Sequence, residues 1–159
     1  MSGDPPRSSF RGERTLVNRQ QQVRVRPRAL RAFLERASRL VFPSGAGVSV
    51  CMVSDREIAG WNRQYRGKRG PTDVLSFPAG NGDGRHGAVE RAARLDRGDI
   101  AISPAAAERN ARALGRSLDQ ELRVLILHGL LHLAGYDHET DQGEMERREL
   151  RLRRRLGVG

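Results

Sequence analysis

Three of the chain's four histidines stand close together in the segment LHGLLHLAGYDH, as His128, His132 and His138. Residues four apart share one face of a helix, so His128 and His132 can grip a single ion. Gly135 lets the chain turn after that helix, so that His138 swings back as a third ligand. Three neutral imidazoles suit zinc, one ion per chain, and leave one tetrahedral position for water. A purely structural zinc site closes all four positions, often with cysteine, so the open position favours catalysis. Zinc lowers the pKa of bound water toward ~7 and polarises a phosphoryl or carbonyl oxygen, which makes hydrolysis the plainest reaction class.

A single histidine on an apolar helix is more often a hydrogen-bonded core residue than a ligand. The third histidine at a definite spacing, with a glycine to supply the turn, moves the reading to metal. His86, in the polar stretch NGDGRHG, has no such companions and reads as surface. The spacing matches the zinc peptidase pattern H-E-x-x-H-x-x-G-x-x-H at all three histidines and at the glycine. The glutamate is missing, because Gly129 occupies its place. That glutamate is the base which deprotonates the attacking water in the peptidases, so peptide cleavage becomes the second reading.

The elements that must hold these residues can be read from periodicity. Residues 1 to 14 carry Gly, Pro, Ser and Arg with almost nothing to bury, and read as a disordered basic extension. The folded domain is expected over 15–157. Thr15 to Arg26 suggests a strand, weakened by its QQQ centre. Arg28 to Val41 is an amphipathic helix with Pro27 in its first turn, and Val48 to Val53 alternates as a strand, which makes Cys51 a packed core residue. Ser54 and Glu57 form a capping box opening a helix whose buried stripe is Ile58, Trp61 and Tyr65. Arg66 to Pro71 is a basic loop, Thr72 to Pro78 a short strand, and Asn81 to Asp96 a long polar connection.

Gly98 to Ser103 is a further strand. Ser103 and Pro104 then start a helix that Gly115 stops, and Ser117 with Gln120 caps the next. Leu122 to Ala134 is apolar almost all round, as befits a central helix, and Gly135 ends it. Glu139 to Leu156 is a charged last helix with Met145, Leu150, Leu152 and Leu156 on its apolar side and a solvated face of Glu and Arg. The order gives an α/β (α+β) single domain: a mixed sheet of about four strands packed by about five helices, with the metal site on the central helix and the turn after it.

Composition bounds what such a site could serve. The chain has 159 residues, enough for one domain to bury a core without staples, and one cysteine, which excludes a disulfide scaffold and fits the cytoplasm. No apolar run suggests a signal peptide or a membrane span. A formal net charge of +10 attracts polyanions, RNA or an RNA-containing assembly first among them. Lys68 is the sole lysine, so the charge is nearly all arginine; a compositional bias would look the same, and the charge supports other signs without leading.

The segments YRGKRGPTDVLSFP (Tyr65 to Pro78), GDIAIS (Gly98 to Ser103) and HGLLHLAGYDH (His128 to His138) resemble the YbeY family of bacterial endoribonucleases, in the family's order, over roughly residues 45 to 150. The resemblance implies a single-strand-specific, metal-dependent endoribonuclease that matures ribosomal RNA, including the 3′ end of 16S rRNA, and takes part in ribosome quality control. It implies zinc on the three histidines, and RNA with ribosomal components as partners. It also carries Arg66 over as the residue that meets the RNA backbone near the metal, a role suited to a guanidinium, which pairs bidentately with phosphate oxygens. Asp73 and Asp137 are candidate acceptors for a ligand imidazole N–H, or braces of a turn. A non-catalytic ribosome-assembly factor whose metal only orders the Gly135 turn is a third reading. The termini depart from the family: the N-terminal extension is basic and the last helix closes early in RLRRRLGVG.

Overall fold

The computed structural model describes residues 14–45, 47–79, 96–137 and 139–158. Of the extension expected over residues 1–14, Arg14 lies in a strand and the first 13 residues lie outside the described residues, as do most of the polar connection before Asp96, His86 and His138. Four strands, β1 (Arg14–Asn18), β2 (Gly47–Met52), β3 (Val74–Pro78) and β4 (Asp96–Ile102), form one sheet in the order β1-β2-β4-β3. β1, β2 and β4 run parallel and β3 pairs antiparallel with β4, so the sheet is mixed. Among the described residues five helices accompany it: α1 (Pro27–Val41), α2 (Asp55–Arg66), α3 (Pro104–Leu114), α4 (Leu118–Leu133) and α5 (Glu144–Leu156).

Side chains alternate across a strand, and here both faces of the sheet are covered. Val48, Val50, Met52, Ile100 and Ile102 point into the larger core with Leu30, Phe33 and Leu34 of α1 and Ile126, Leu127, Leu130 and Leu131 of α4. Cys51, Ala101 and Leu75 point the other way, onto Ile58 and Trp61 of α2. α4 is the central helix: it touches β3, β4, α1, α3 and α5. None of the helices among the described residues is long and apolar enough to cross a membrane.

Local capping chemistry sets most boundaries. Ser117 Oγ accepts from Gln120 N–H while the Gln120 side chain accepts from Ser117 N–H, a complete capping box at the start of α4. Ser103 Oγ caps α3 through Ala106 N–H, with Pro104 in the first turn. At α2 the box is half made. Ser54 Oγ accepts from Glu57 N–H, whereas the Glu57 carboxylate pairs with Arg19 at 3.2 Å.

Four expectations need correction. β1 stops at Asn18 because Gln20 turns the chain: its buried amide donates to Asn18 Oδ1 (2.9 Å) and Val23 O (2.8 Å) and accepts from Val23 N–H (3.0 Å). α5 starts at Glu144 and not at Glu139, because Asp141 accepts from Gly143 N–H and Met145 N–H and gathers the preceding residues into turns. Leu150 is not on the apolar side of α5; it is 41% exposed, while Met145 and Leu152 are buried. Tyr65 is not core either. At 47% exposure it lies in the last turn of α2, its ring edge-on to Phe77 of β3 with centroids 5.5 Å apart.

Candidate functional site

The histidine pair sits on the last two turns of α4, held by a capping box at one end and buried leucines along its length. His128 Nε2 and His132 Nε2 lie 3.1 Å apart, with the rings inclined at 74°. Two imidazole nitrogens bound at 2.0–2.1 Å on a tetrahedral ion stand about 3.3 Å apart, so this pair already has nearly the bite that zinc requires. Lone pairs brought so close need a proton or a cation between them. The donor set therefore fits the metal expected from sequence.

A contact absent from the sequence expectations completes the pair. His128 Nδ1 lies 3.3 Å from Glu149 Oε1 on α5, and both side chains are mostly buried. In the sequence alone the charge run of α5 reads only as a solvated face. A usable signal was present: Glu149 stands four residues after Met145 and three before Leu152, which places a carboxylate within the buried stripe.

Gly129, between the histidines, explains why no glutamate stands there. A Cβ at this position would lie 2.8 Å from Ile100 Cδ1 and 2.9 Å from Ile100 Cγ2, with Ile100 fully buried in β4. α4 thus approaches the sheet so closely that a side chain at Gly129 would have to displace the buried Ile100. Ser76 Oγ of β3 adds a 3.4 Å hydrogen bond to Gly129 O.

His128 and His132 open onto a cleft of about 660 Å³, of a size typical for ligand sites. Arg66, Lys68 and Tyr65 also line it, as does β3 from Val74 to Pro78. Arg66 is the last residue of α2, not part of the loop expected there. Gly67 then takes a left-handed conformation (φ 65°) that ends the helix beside it. The buried Asn62 ties the loop down, its Nδ2 donating to Gly70 O at 3.0 Å and its main-chain carbonyl accepting from Lys68 N–H. The backbone of the basic loop is therefore fixed from a core residue.

Asp73 and Asp137 also line the cleft. Asp73 Oδ2 accepts from Asn110 Nδ2 at 2.9 Å and its carbonyl from Ser103 N–H, which locks β3 to the start of α3. Asp137 acts as a brace: Oδ1 accepts from Glu139 N–H, and its carbonyl from Thr140 and Asp141 N–H. Between α4 and Asp137, Gly135 takes φ 97°, with Gly135 N–H donating to His132 O and Tyr136 N–H to Leu131 O. Gly135 makes the expected turn. Among the described residues no group of three or more His, Cys, Asp and Glu converges as a metal cage, His138 lying outside them.

Behind the histidines on α4, Glu121 is nearly fully buried, and burial pushes its carboxyl up against the opposing pull of Arg116, which pairs with it at 3.1 Å. Cys51 is buried on the opposite face of the sheet, where burial raises its thiol pKa; it is a core residue as expected.

Comparison with known proteins bears on the same residues. The family model described as endoribonuclease YbeY matches residues 15–157. The endoribonuclease YbeY of Koribacter versatilis is 48% identical over 132 residues, 83% of this chain and 78% of that relative. The endoribonuclease YbeY of Solibacter usitatus is 39% identical over 151 residues, 95% of this chain and 92% of its own length. In three dimensions the chain resembles the solution structure of TM1509 from Thermotoga maritima, with a TM-score of 0.58 and 27% identity over 91% of this chain and 89% of that one. With the histidine pair, Arg66 and the TDVLSFP strand gathered on one cleft, the chain belongs to the endoribonuclease YbeY family.

Proposed function

We propose that this chain is a zinc-dependent endoribonuclease that cleaves single-stranded RNA, with ribosomal RNA, including the 16S 3′ end, as its substrate class and ribosome maturation and quality control as its setting in the cytoplasm. One observation carries the proposal most: two imidazole Nε2 atoms 3.1 Å apart share a cleft with Arg66. His128 and His132 hold the ion, with His138 as third ligand from its spacing in the sequence. Bound zinc supplies Lewis acidity toward a phosphoryl oxygen and an activated oxygen nucleophile near neutral pH.

The remaining work falls to the chain's own groups. Arg66 pairs with the non-bridging oxygens of the scissile phosphate and stabilises the charge that grows on them. Its backbone is fixed at a capped helix end, with the loop behind it tied to buried Asn62, so the guanidinium reaches the cleft from a fixed anchor. Lys68 extends the positive wall along the RNA backbone. Tyr65 offers an exposed ring beside Arg66, on which an unpaired base can stack; a base inside a duplex cannot, which accounts for the single-strand preference.

The packing of Gly129 on Ile100 argues against the peptidase reading, since a side chain at the helical position of the peptidase base would have to displace the buried Ile100. A test compares cleavage of a single-stranded RNA by wild type and His132→Ala, with and without chelator. Cleavage by wild type alone, abolished by chelation, supports the proposal. Equal cleavage by His132→Ala, or cleavage of unstructured peptides in place of RNA, refutes it.

A further inference from the structure

We propose that Glu149 is a positioning residue of the metal centre: its carboxylate selects the tautomer of His128 whose Nε2 lone pair faces the ion. The proposal rests on the zinc reading above. An ionised carboxylate can only accept a hydrogen bond, so the 3.3 Å contact places the imidazole hydrogen on Nδ1. A neutral imidazole carries one such hydrogen, and Nε2 is then the bare nitrogen. That atom is the one lying 3.1 Å from His132 Nε2. One contact on the far side of the ring therefore directs its donor toward the ion and adds to its basicity.

The placement of Glu149 is not that of a surface charge. It lies on α5 between Met145 and Leu152, both packed into the main core, and its side chain is 17% exposed. A carboxylate withdrawn this far from water is costly unless hydrogen bonds compensate it, and His128 supplies one. Glu121 repels it along the α4–α5 seam, while Arg116 and Arg153 offset the negative charge there. α5 itself is anchored by Asp141 at its start and by a left-handed Gly157 at its end, so the carboxylate is held on a rigid element.

The test uses the full chain with Glu149→Ala and Glu149→Gln. Zinc affinity is measured by competition with a chromophoric chelator, thermal stability is measured on the zinc-free proteins, and the His128 tautomer is read from ring nitrogen NMR shifts of zinc-free wild type. We expect Glu149→Ala to lose about 10–100-fold in zinc affinity. Glu149→Gln, which keeps an acceptor oxygen of the same shape, should lose less, and wild type should show the Nδ1–H tautomer. Unchanged affinity in both variants, or an Nε2–H tautomer in zinc-free wild type, overturns the proposal. Wild type that binds no zinc overturns the metal reading itself, a result distinguishable from the failure of Glu149 alone.

Discussion

Gly129 rests on Ile100 so closely that a single added carbon would stand 2.8 Å from the isoleucine Cδ1. The contact joins the helix bearing the histidines to the strand at the centre of the fold, and it decides between two chemistries. A zinc peptidase needs a glutamate at this position, and here the sheet occupies its space. Replacing Gly129 by Ala should cost about 1–3 kcal/mol through overpacking. Gly129→Glu should cost more and should not confer peptide cleavage. Urea unfolding midpoints and a peptide-cleavage assay check both; a stable Gly129→Glu protein that cuts peptides would contradict the reading.

Arg66→Ala should leave zinc affinity and the unfolding midpoint near wild type, because the side chain is exposed in the cleft and no core contact depends on it. RNA cleavage should fall about 10²–10³-fold, the usual cost of losing one donor to a developing oxyanion. Arg66→Lys should recover only part of the rate, since an ammonium lacks the bidentate fork. Single-turnover cleavage rates measure this, and an unchanged rate in Arg66→Ala removes the residue from the mechanism.

Tyr65→Ala should weaken binding of single-stranded RNA by the equivalent of about 1–3 kcal/mol, the contribution of stacking one base on a ring. An oligonucleotide that is abasic opposite Tyr65 should bind wild type and variant alike. Fluorescence anisotropy at fixed salt distinguishes the two cases; equal losses on both ligands would point to altered packing of Phe77 and not to stacking.

Asp55 joins the start of α2 to α3, accepting from Ser103 Oγ at 2.7 Å and from both Arg109 terminal nitrogens. The Arg109 hydrogen bonds hold its carboxyl below the ordinary value of 3.8, so the folded chain binds this proton less readily than the unfolded chain. Its stabilisation is therefore present above the ordinary carboxylate range and is lost as pH falls through the depressed folded value. Asp55→Asn should lower the urea midpoint at pH 7, with the gap to wild type narrowing below about pH 4. A gap that stays constant across that window would show that the charge is not responsible.

Gly98 has φ 131° beside the β2–β4 register shift, and a Cβ there would stand 2.3 Å from Phe77 O. Gly98→Ala should destabilise by at least about 1–3 kcal/mol, the range for a residue forced into a sparsely populated conformation. Thermal unfolding measures it; a neutral effect would mean that β3 can shift away from β4 without loss.

Features set by near neighbours were legible in the sequence. Ser117 with Gln120, Ser103 with Pro104, and the i, i+4 histidines each act within one helical turn, so the chain order displays the contact. The alternation of Val48, Val50 and Met52 against Cys51 likewise gave both faces of β2. Contacts set by packing were not legible. Periodicity places Tyr65 on the stripe of Ile58 and Trp61 but does not say that its ring, edge-on to Phe77, stays half exposed at the end of α2. Glu149 meets His128 across 21 residues, inside a run of charges whose spacing resembles a solvated face. Gln20 reads as one of three equal glutamines until its amide closes a turn on Asn18 and Val23.

The most direct test of the central claim is the zinc content of the purified chain, read alongside its cleavage of single-stranded RNA before and after chelation. The account predicts about one zinc ion per folded chain, loss of cleavage when the ion is removed, and recovery when zinc is returned. Folded wild type that binds no zinc, or cleavage indifferent to the chelator, would contradict it.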